Sequence, residues 1–109
     1  MVFFLFTPLL LPSQDEYGGT ALIWAAYYGH DTVIPLLLEA GAQIDAQNID
    51  GNTPLILTSS WGKEAAVREL LKGNPNLDLK DSDGRTALDS ARYYNYQPII
   101  DLLVNHERS

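Results

Sequence analysis

Residues 51–55 read Gly-Asn-Thr-Pro-Leu, and the pattern around Thr53 occurs twice more in the chain. Thr20 lies 33 residues before Thr53, and Thr86 lies 33 residues after it. Each of the three threonines has a glycine two positions before it and a leucine two positions after it. A sequence that repeats itself with a period of this size is typical of a solenoid built from stacked units.

Each copy of the repeat predicts two short helices. The threonine stands where the first helix begins, because its hydroxyl can accept hydrogen bonds from the free N–H groups of the first turn. Pro54 follows at the first helical position, where its missing N–H costs nothing. Glycine and asparagine tolerate the left-handed backbone that often ends a helix. The first helices are therefore expected to end at Gly29, Gly62 and Asn95.

The second helix of each copy carries apolar residues at helical spacing. These helices are expected to begin near Asp31, Glu64 and Gln97. Gly41 and Gly73 are expected to end the first two of them, and Pro35 is tolerated because it lies only about one turn into its helix. Residues 43–50 and 74–83 follow, and their Asn, Asp and Gly content is typical of turns and hairpins.

These segments together resemble the ankyrin repeat, whose unit has a T-P-L-H core and a G-H turn. Three segments resemble the core: Thr20-Ala21-Leu22-Ile23, Thr53-Pro54-Leu55-Ile56 and Thr86-Ala87-Leu88-Asp89. Gly29-His30 matches the turn, and residues 36–42 (LLLEAGA) match the end of the unit. The resemblance implies an all-α repeat solenoid of stacked helix-turn-helix units with short β-hairpin loops. It covers residues 15 to about 105 of a repeat domain that we place at 15–109, with repeats at about 15–47, 48–80 and 81–109.

The chain departs from the family pattern at the histidine of the core motif. Ile23, Ile56 and Asp89 stand at that position. In the family this histidine ties neighbouring repeats together, so the resemblance implies weaker ties unless the two isoleucines pack in its place. The third copy also carries Ser90 and Arg92 beside Asp89, which predicts that it is a polar C-terminal capping repeat.

Residues 1–14 are a separate apolar N-terminal segment that begins MVFFLFTPLLLP. The apolar run is shorter than the roughly 20 residues that cross a bilayer. It lacks the basic start and the small-residue cleavage pattern of a secretory signal. Residues 3–5 lie 33 positions before residues 36–38, so we expect a remnant of an earlier repeat that covers the first copy. Export through this segment and a fragment of a longer array are the alternatives.

The composition favours a protein as the binding partner. The 109-residue chain has a formal net charge of −7, which disfavours nucleic acids and anionic membrane surfaces. It has no cysteine, so it forms no disulfide or thiolate metal site, and we expect a reducing compartment, the cytoplasm. The hairpins are acidic, which favours a partner with a basic segment.

The resemblance implies that the partner binds the hairpin tips and the inner face of the first helices. Tyr28, Trp61 and Tyr94 occupy the same place in all three copies, at the end of the first helix. Because packed helices lie about 10 Å apart, these rings are expected to form a ladder. Tyr and Trp are enriched at binding hot spots, although the rings could instead serve only to stabilise the stack. The candidate partner-binding residues are Tyr17, Tyr27, Tyr28, Asp50, Asn52, Trp61, Asp83, Arg85, Tyr93 and Tyr94.

The sequence offers no catalytic, cofactor-binding or metal-binding pattern. Residues 81–84 (DSDG) resemble part of a calcium loop, but Leu79 and Ser90 would then occupy the first and twelfth positions, which need acidic residues. The sequence therefore predicts a protein-interaction module that is not an enzyme and uses no cofactor. The alternative is a structural piece, either a fragment of a longer array or a unit that self-associates weakly through the N-terminal segment.

Overall fold

A computed structural model of the protein describes residues 20–108, and within them the chain forms helices joined by turns. The helices are α1 (Ala21–Tyr28), α2 (Ile34–Glu39), α3 (Pro54–Ser60), α4 (Glu64–Lys72), α5 (Ala87–Tyr93) and α6 (Gln97–Arg108). Helices α1, α3 and α5 pack side by side as an inner layer, and α2, α4 and α6 pack behind them. No strand occurs in this part of the chain, so the all-α solenoid is confirmed and the hairpin loops are turns.

The three threonines begin the inner helices, as predicted. Each has an extended backbone, and its hydroxyl accepts a hydrogen bond from the backbone N–H three residues on. The donor-to-acceptor distances are 3.2 Å for Thr20, 3.0 Å for Thr53 and 3.1 Å for Thr86. One of the otherwise free N–H groups at each helix start is thereby satisfied.

The inner helices end where the sequence predicts. Gly29, Gly62 and Asn95 have φ angles of 71°, 70° and 61°, in the left-handed region. The N–H of the residue after each one bonds back to a carbonyl five residues earlier, at 2.9 Å in all three copies. At Gly62, an added Cβ would lie 3.0 Å from the Tyr96 ring. Glycine at this position therefore also leaves room for the next repeat to pack.

The outer helices differ from expectation at the start of α2. Helix α2 begins at Ile34 and not at Asp31. A helix from Asp31 would need a donor from the nitrogen of Pro35 and would press the proline ring against an earlier carbonyl, whereas Pro35 is harmless at the second helical position. Helix α4 ends at Lys72 with Gly73 as its C-terminal cap, as predicted, but the left-handed residue is Asn74, whose φ is 57°, and not Gly73, whose φ is −87°. Asn74 is the true counterpart of Gly41, whose φ is 95°.

The isoleucines that replace the family histidine are buried and tie the repeats together. Ile23 is 3% exposed and packs with Leu57 of the next repeat and with Ala46 of its own repeat. Ile56 is 1% exposed and belongs to the main core. That core runs through all three copies and includes Leu22, Ile34, Leu55, Val67, Leu70, Ile99 and Leu103.

One main-chain hydrogen bond and one side chain join neighbouring hairpins. The N–H of Ser82 donates to the carbonyl of Asp50 at 2.9 Å. The side-chain amide of Gln47 donates to the carbonyls of Gly51 and Lys80, at 2.8 and 3.0 Å. A Cβ at Gly51, whose φ is 77°, would lie 3.0 Å from the backbone of Asp81. Glycine is therefore required there for the hairpins to lie this close together.

The first helix of the third copy exposes two of its three polar residues and buries the third. Asp89 forms a capping box with Thr86, because its carboxylate accepts a hydrogen bond from the Thr86 N–H at 3.1 Å. This backbone hydrogen bond is the main cause that lowers the pKa of Asp89 below its ordinary value. Arg92 is exposed, whereas Ser90, which the sequence places with them on a polar face, is only 2% exposed.

We expect Ser59→Ala to stabilise the protein. The Ser59 hydroxyl is buried and has no hydrogen-bond partner among the described residues, and alanine occupies the equivalent position 26. Removing an unsatisfied buried hydroxyl, and gaining helix propensity, should raise the free energy of unfolding in urea by about 1 kcal/mol.

The matched control is Thr58→Val. The Thr58 hydroxyl donates to the carbonyls of Pro54 and Leu55, each at 3.1 Å. Its loss should lower the free energy of unfolding by about 1 kcal/mol. A Ser59→Ala protein that is less stable than the parent would show that the hydroxyl has a partner.

The capping box predicts a pH-dependent contribution from Asp89. Its pKa is lower in the folded than in the unfolded chain, so the ionised carboxylate adds stability above the unfolded pKa of about 3.9. That contribution is lost as the pH falls through the folded pKa. The measurement is urea unfolding of the native protein and Asp89→Asn at pH 6 and at pH 3. The native protein should be the more stable at pH 6, and the difference should shrink at pH 3. An unchanged difference would contradict a role for the charge.

Candidate functional site

The ends of the inner helices and the neighbouring hairpins form a surface with two grooves. The first groove lies between the first and second repeats and has a volume of about 540 Å³. It is lined by Ile23, Trp24, Tyr27, Tyr28, Asn48, Ile49, Asp50, Asn52, Leu57 and Trp61. The second groove lies between the second and third repeats and has a volume of about 400 Å³. The two grooves share Asn52, Leu57 and Trp61, so they are neighbours on one continuous surface.

Four aromatic side chains make up one wall of the first groove, and we call them the aromatic cluster: Trp24, Tyr27, Tyr28 and Trp61. Within α1, the Trp24 ring lies 5.9 Å from Tyr27 and 6.0 Å from Tyr28, centroid to centroid. Tyr27 meets Trp61 of the next repeat edge to face at 5.8 Å. Such ring pairs stabilise their arrangement beyond the burial of area alone. The cluster is therefore a preformed surface that spans two repeats.

The three rings expected to form a ladder, Tyr28, Trp61 and Tyr94, lie along one surface, but their ring contacts are with other aromatic residues. Among the described ring contacts, Trp61 pairs with Tyr27, while Tyr28 stacks on Trp24 and on His30. The third copy forms its own aromatic group, in which Tyr94 lies 4.9 Å from Tyr93 and 6.0 Å from Tyr96. Trp61 and Tyr94 both line the second groove. The rings thus share a surface without stacking on one another in order.

The rings at the helix ends are exposed to solvent. Tyr28 is 59% exposed, Trp61 is 56% exposed and Tyr94 is 48% exposed. Large apolar side chains in the core of this fold, by contrast, are almost completely buried. About half of the area of each ring is therefore not used in packing the stack.

A cation lies over one ring of the third copy. The guanidinium carbon of Arg85 is 4.5 Å from the centroid of the Tyr93 ring, within the range of a cation–π interaction. Arg85 also lines the second groove together with Asp81 and Asp83. The arrangement orients the guanidinium at the rim of this groove.

The acidic residues of the hairpins fall into two groups. Asp81 holds its turn, because its carboxylate accepts hydrogen bonds from the N–H groups of Asp83 and Arg85 at 2.9 and 3.0 Å. The Asn48 side chain does the same in the preceding hairpin, and Asp45 accepts a bond from the Asn76 N–H. Asp50 and Asp83, in contrast, are exposed at the hairpin tips. Asp50 lines the first groove and Asp83 the second.

The described part of the chain brings the candidate residues to one surface. Tyr17 lies outside the described residues. Tyr27, Tyr28, Asp50, Asn52 and Trp61 line the first groove, Asp83, Arg85 and Tyr94 line the second, and Tyr93 lies beneath Arg85.

One aromatic residue of the first groove, Trp24, was missed from the sequence. Trp24 lies three and four positions before Tyr27 and Tyr28, which is the spacing of neighbours on a helix surface and could have indicated its place. Ile49, which the resemblance puts at a hairpin tip among the positions that bind partners, lines the same groove and is 71% exposed.

Comparison with known families agrees with the repeat architecture. A family model described as ankyrin repeats (3 copies) matches residues 41–109, and a second, described as ankyrin repeats (many copies), matches residues 5–57. The chain belongs to the ankyrin repeat family. Its repeats are thus of a kind that generally serves as a protein-protein interaction module.

The relatives share with this ankyrin chain only a short segment. Human palmitoyltransferase ZDHHC17 is 64% identical over 36 residues, which are 32% of this chain and 6% of that protein. Calmodulin-binding transcription activator 6 of Arabidopsis thaliana is 51% identical over 35 residues, 32% of this chain and 4% of the relative. The ankyrin repeat domain-containing protein SAT10 of Stachybotrys chartarum is 47% identical over 38 residues, 35% of this chain and 2% of the relative. The chain therefore spans a small fraction of each relative's length.

Within residues 20–108, no three His, Asp or Glu side chains come together as a group that could hold a metal ion. No helix in the same range is both long enough and apolar enough to cross a membrane.

Proposed function

We propose that this ankyrin repeat chain binds a segment of a partner protein along the two grooves and performs no chemistry itself. The observation that carries the proposal is the continuous, exposed aromatic surface that the two grooves share at Trp61. Ankyrin repeats are generally interaction modules, which supports the same reading. The mechanism is the display of a preformed surface, so that little conformational entropy is lost on binding.

The aromatic cluster supplies the binding energy in this proposal. A Tyr or Trp ring buries a large area when a partner covers it, and such residues are enriched among those that dominate interfaces. Tyr27 and Trp61 hold each other edge to face at 5.8 Å across two repeats. A partner side chain that packs on them therefore meets rings whose positions are already fixed.

The charges at the hairpin tips favour a basic segment in the partner. Asp50 borders the first groove and Asp83 borders the second, and their carboxylates are not used to hold the turns. Repeats stacked about 10 Å apart correspond to about three residues of an extended peptide. A partner with an apolar side chain against the aromatic cluster and a Lys or Arg about three residues away would therefore satisfy both grooves.

The similarity to these relatives supports only the presence of the ankyrin repeat in this chain. The palmitoyltransferase is matched through 36 residues of its ankyrin region, so palmitoyl transfer is not extended to this chain. A cytoplasmic location and the alternative of a structural piece in a longer array stay predictions. A partner bound specifically by the isolated chain would weigh against the purely structural alternative.

The aromatic residues are tested with the triple variant Tyr28→Ala, Trp61→Ala and Tyr94→Ala. We expect the variant to fold, because the three rings are about half exposed, and to lose the partner that the native chain retains from a lysate of its source. Loss of a hot-spot ring weakens binding by about 2 kcal/mol or more, which is roughly a 30-fold change in affinity.

The control is Arg68→Ala combined with Asp101→Ala. Both residues are exposed on the outer helices, away from the two grooves of the aromatic surface. This variant should hold the partner as well as the native chain does, and circular dichroism should give the same helix content for all three proteins. If the folded aromatic variant retains the partner, the proposed binding surface is wrong.

The charged tips predict a salt-dependent affinity. Once a partner is in hand, Asp50→Asn with Asp83→Asn should lower its affinity at low ionic strength and flatten the dependence of affinity on salt. The matched control is Glu39→Gln with Asp101→Asn, which changes the net charge equally. Both control residues are exposed on the outer helices, at a distance from the tips. Equal effects of the two double variants would show that only the net charge of the chain matters.

A further inference from the structure

The two grooves of the aromatic surface are copies of one another, displaced by a single repeat. Adding 33 to eight of the ten residues that line the first groove gives residues that line the second. Tyr28 and Trp61 correspond in this way to Trp61 and Tyr94, and Asp50 corresponds to Asp83. Because packed helices lie about 10 Å apart, a segment that crosses both grooves meets equivalent positions again after about 10 Å. Such a segment fits both grooves when its own side chains recur at that distance.

The side chains of a polyproline II helix recur at this distance. This left-handed conformation has three residues per turn, so residues three apart share one face and lie about 9.3 Å apart. In a β-strand, by contrast, residues three apart point to opposite faces, and those that share a face lie roughly 7 or 13 Å apart. No strand occurs within residues 20–108, so this part of the chain also offers no sheet edge to a partner strand.

An α-helix is the other conformation with a suitable period, since residues seven apart lie about 10.5 Å apart on nearly the same face. The hydrogen-bonding groups of the surface distinguish the two. Trp61 and Asn52 line both grooves, and within residues 20–108 neither the indole N–H nor the side-chain amide makes a hydrogen bond. An α-helix uses its backbone carbonyls internally, whereas a polyproline II helix leaves its carbonyls free to accept from such donors. The surface therefore favours polyproline II.

The two grooves differ in polarity, which decides what each one accepts. In the second groove, Ser60 stands where the first groove has Tyr27. The second groove also has the carboxylates of Asp81 and Asp83 against the single guanidinium of Arg85, which is held over a tyrosine ring at 4.5 Å. An apolar side chain thus suits the first groove, and a cationic one suits the second.

We infer that the partner segment is a proline-rich polyproline II helix with an apolar residue in the first groove and a Lys or Arg three residues away in the second. This inference rests on the proposed function and adds the conformation and the register of the partner. The apolar residue packs on the crossed rings of Tyr27 and Trp61, whose planes make an angle of 72°. The indole N–H of Trp61 and the amide of Asn52 donate to carbonyls of the segment, which needs no N–H of its own.

Binding of fluorescein-labelled synthetic peptides to the full chain tests the inference, with fluorescence anisotropy as the measurement. The test peptides are GPPLPPRPPG, GPPFPPRPPG and the reversed order GPPRPPLPPG, because either chain direction places residues three apart in the two grooves. The first control, GPPLPRPPPG, has the same composition as the first test peptide but a spacing of two. The second, GGSLGSRSGG, keeps the spacing without the conformation. The third is an alanine-based helical peptide with Leu and Arg seven positions apart.

The best test peptide should bind at least about ten times more tightly than each control, because a preformed helix of the correct spacing loses little conformational entropy. Trp61→Ala should weaken its binding by about ten-fold or more. The control variant Arg68→Ala, which is exposed on α4 away from the two grooves, should leave the affinity unchanged.

Asp83→Asn tests the register. At low ionic strength it should weaken binding of the best test peptide by about three-fold or more, and it should have little effect once the peptide's Arg is replaced by Gln. Asp50→Asn is the matched control, since it removes the same charge from the preceding hairpin tip. Equal dependence of the two variants on the peptide's Arg would contradict the register.

Three results would overturn the inference. These are equal binding of the test and control peptides, preference for the helical peptide, and no binding of any proline-rich peptide at about 1 mM. The failure of the proposed function would look different. If the aromatic triple variant loses the lysate partner but the peptides give one of these results, the proposed function stands and only the inference is wrong. If the triple variant keeps that partner, the proposed function itself is wrong.

Discussion

The fixed length of the inner helix is the constraint on which the rest of the molecule depends. A threonine hydroxyl caps each of these helices, and a left-handed residue nine positions later ends it. Because the two ends are set by local hydrogen bonds and backbone geometry, the three helices have nearly the same length whatever their other residues are. The same turn of each helix consequently meets the same turn of its neighbour. The aromatic positions at the helix ends are brought to one surface by this regularity.

The parts of the fold that depend on local chemistry could be predicted from the sequence. The caps at Thr20, Thr53 and Thr86, and the left-handed residues at Gly29, Gly62 and Asn95, follow from residue types with few alternatives. The predicted start of α2 was wrong because the prediction followed the repeat pattern and gave the effect of Pro35 too little weight. The role of Asn74 was missed because Gly73 beside it is the commoner residue at a helix end.

The details of the candidate site could be predicted less well, since they depend on side-chain packing between repeats. The repeat pattern places Tyr28, Trp61 and Tyr94 at equivalent positions, but it does not determine which ring of a pair turns toward the next repeat. Tyr27 takes that contact with Trp61. Likewise, counting acids cannot separate Asp81, whose carboxylate holds its turn, from Asp83, which is exposed. Such distinctions arise only when the backbone N–H groups around each side chain are known.

The hydrogen bonds between neighbouring hairpins have a consequence for the evolution of this surface. The N–H of Ser82 donates to the carbonyl of Asp50, and this contact uses only main-chain atoms. The side chains at the hairpin tips can therefore be exchanged without breaking the bond that holds the tips in place. At Asp50 the main chain therefore holds the hairpins together and the side chain is available for recognition, whereas Asn48 and Asp81 use their side chains to hold the turns. A lineage of such chains could change the partner it recognises by point substitutions, one tip at a time, while each intermediate keeps its fold.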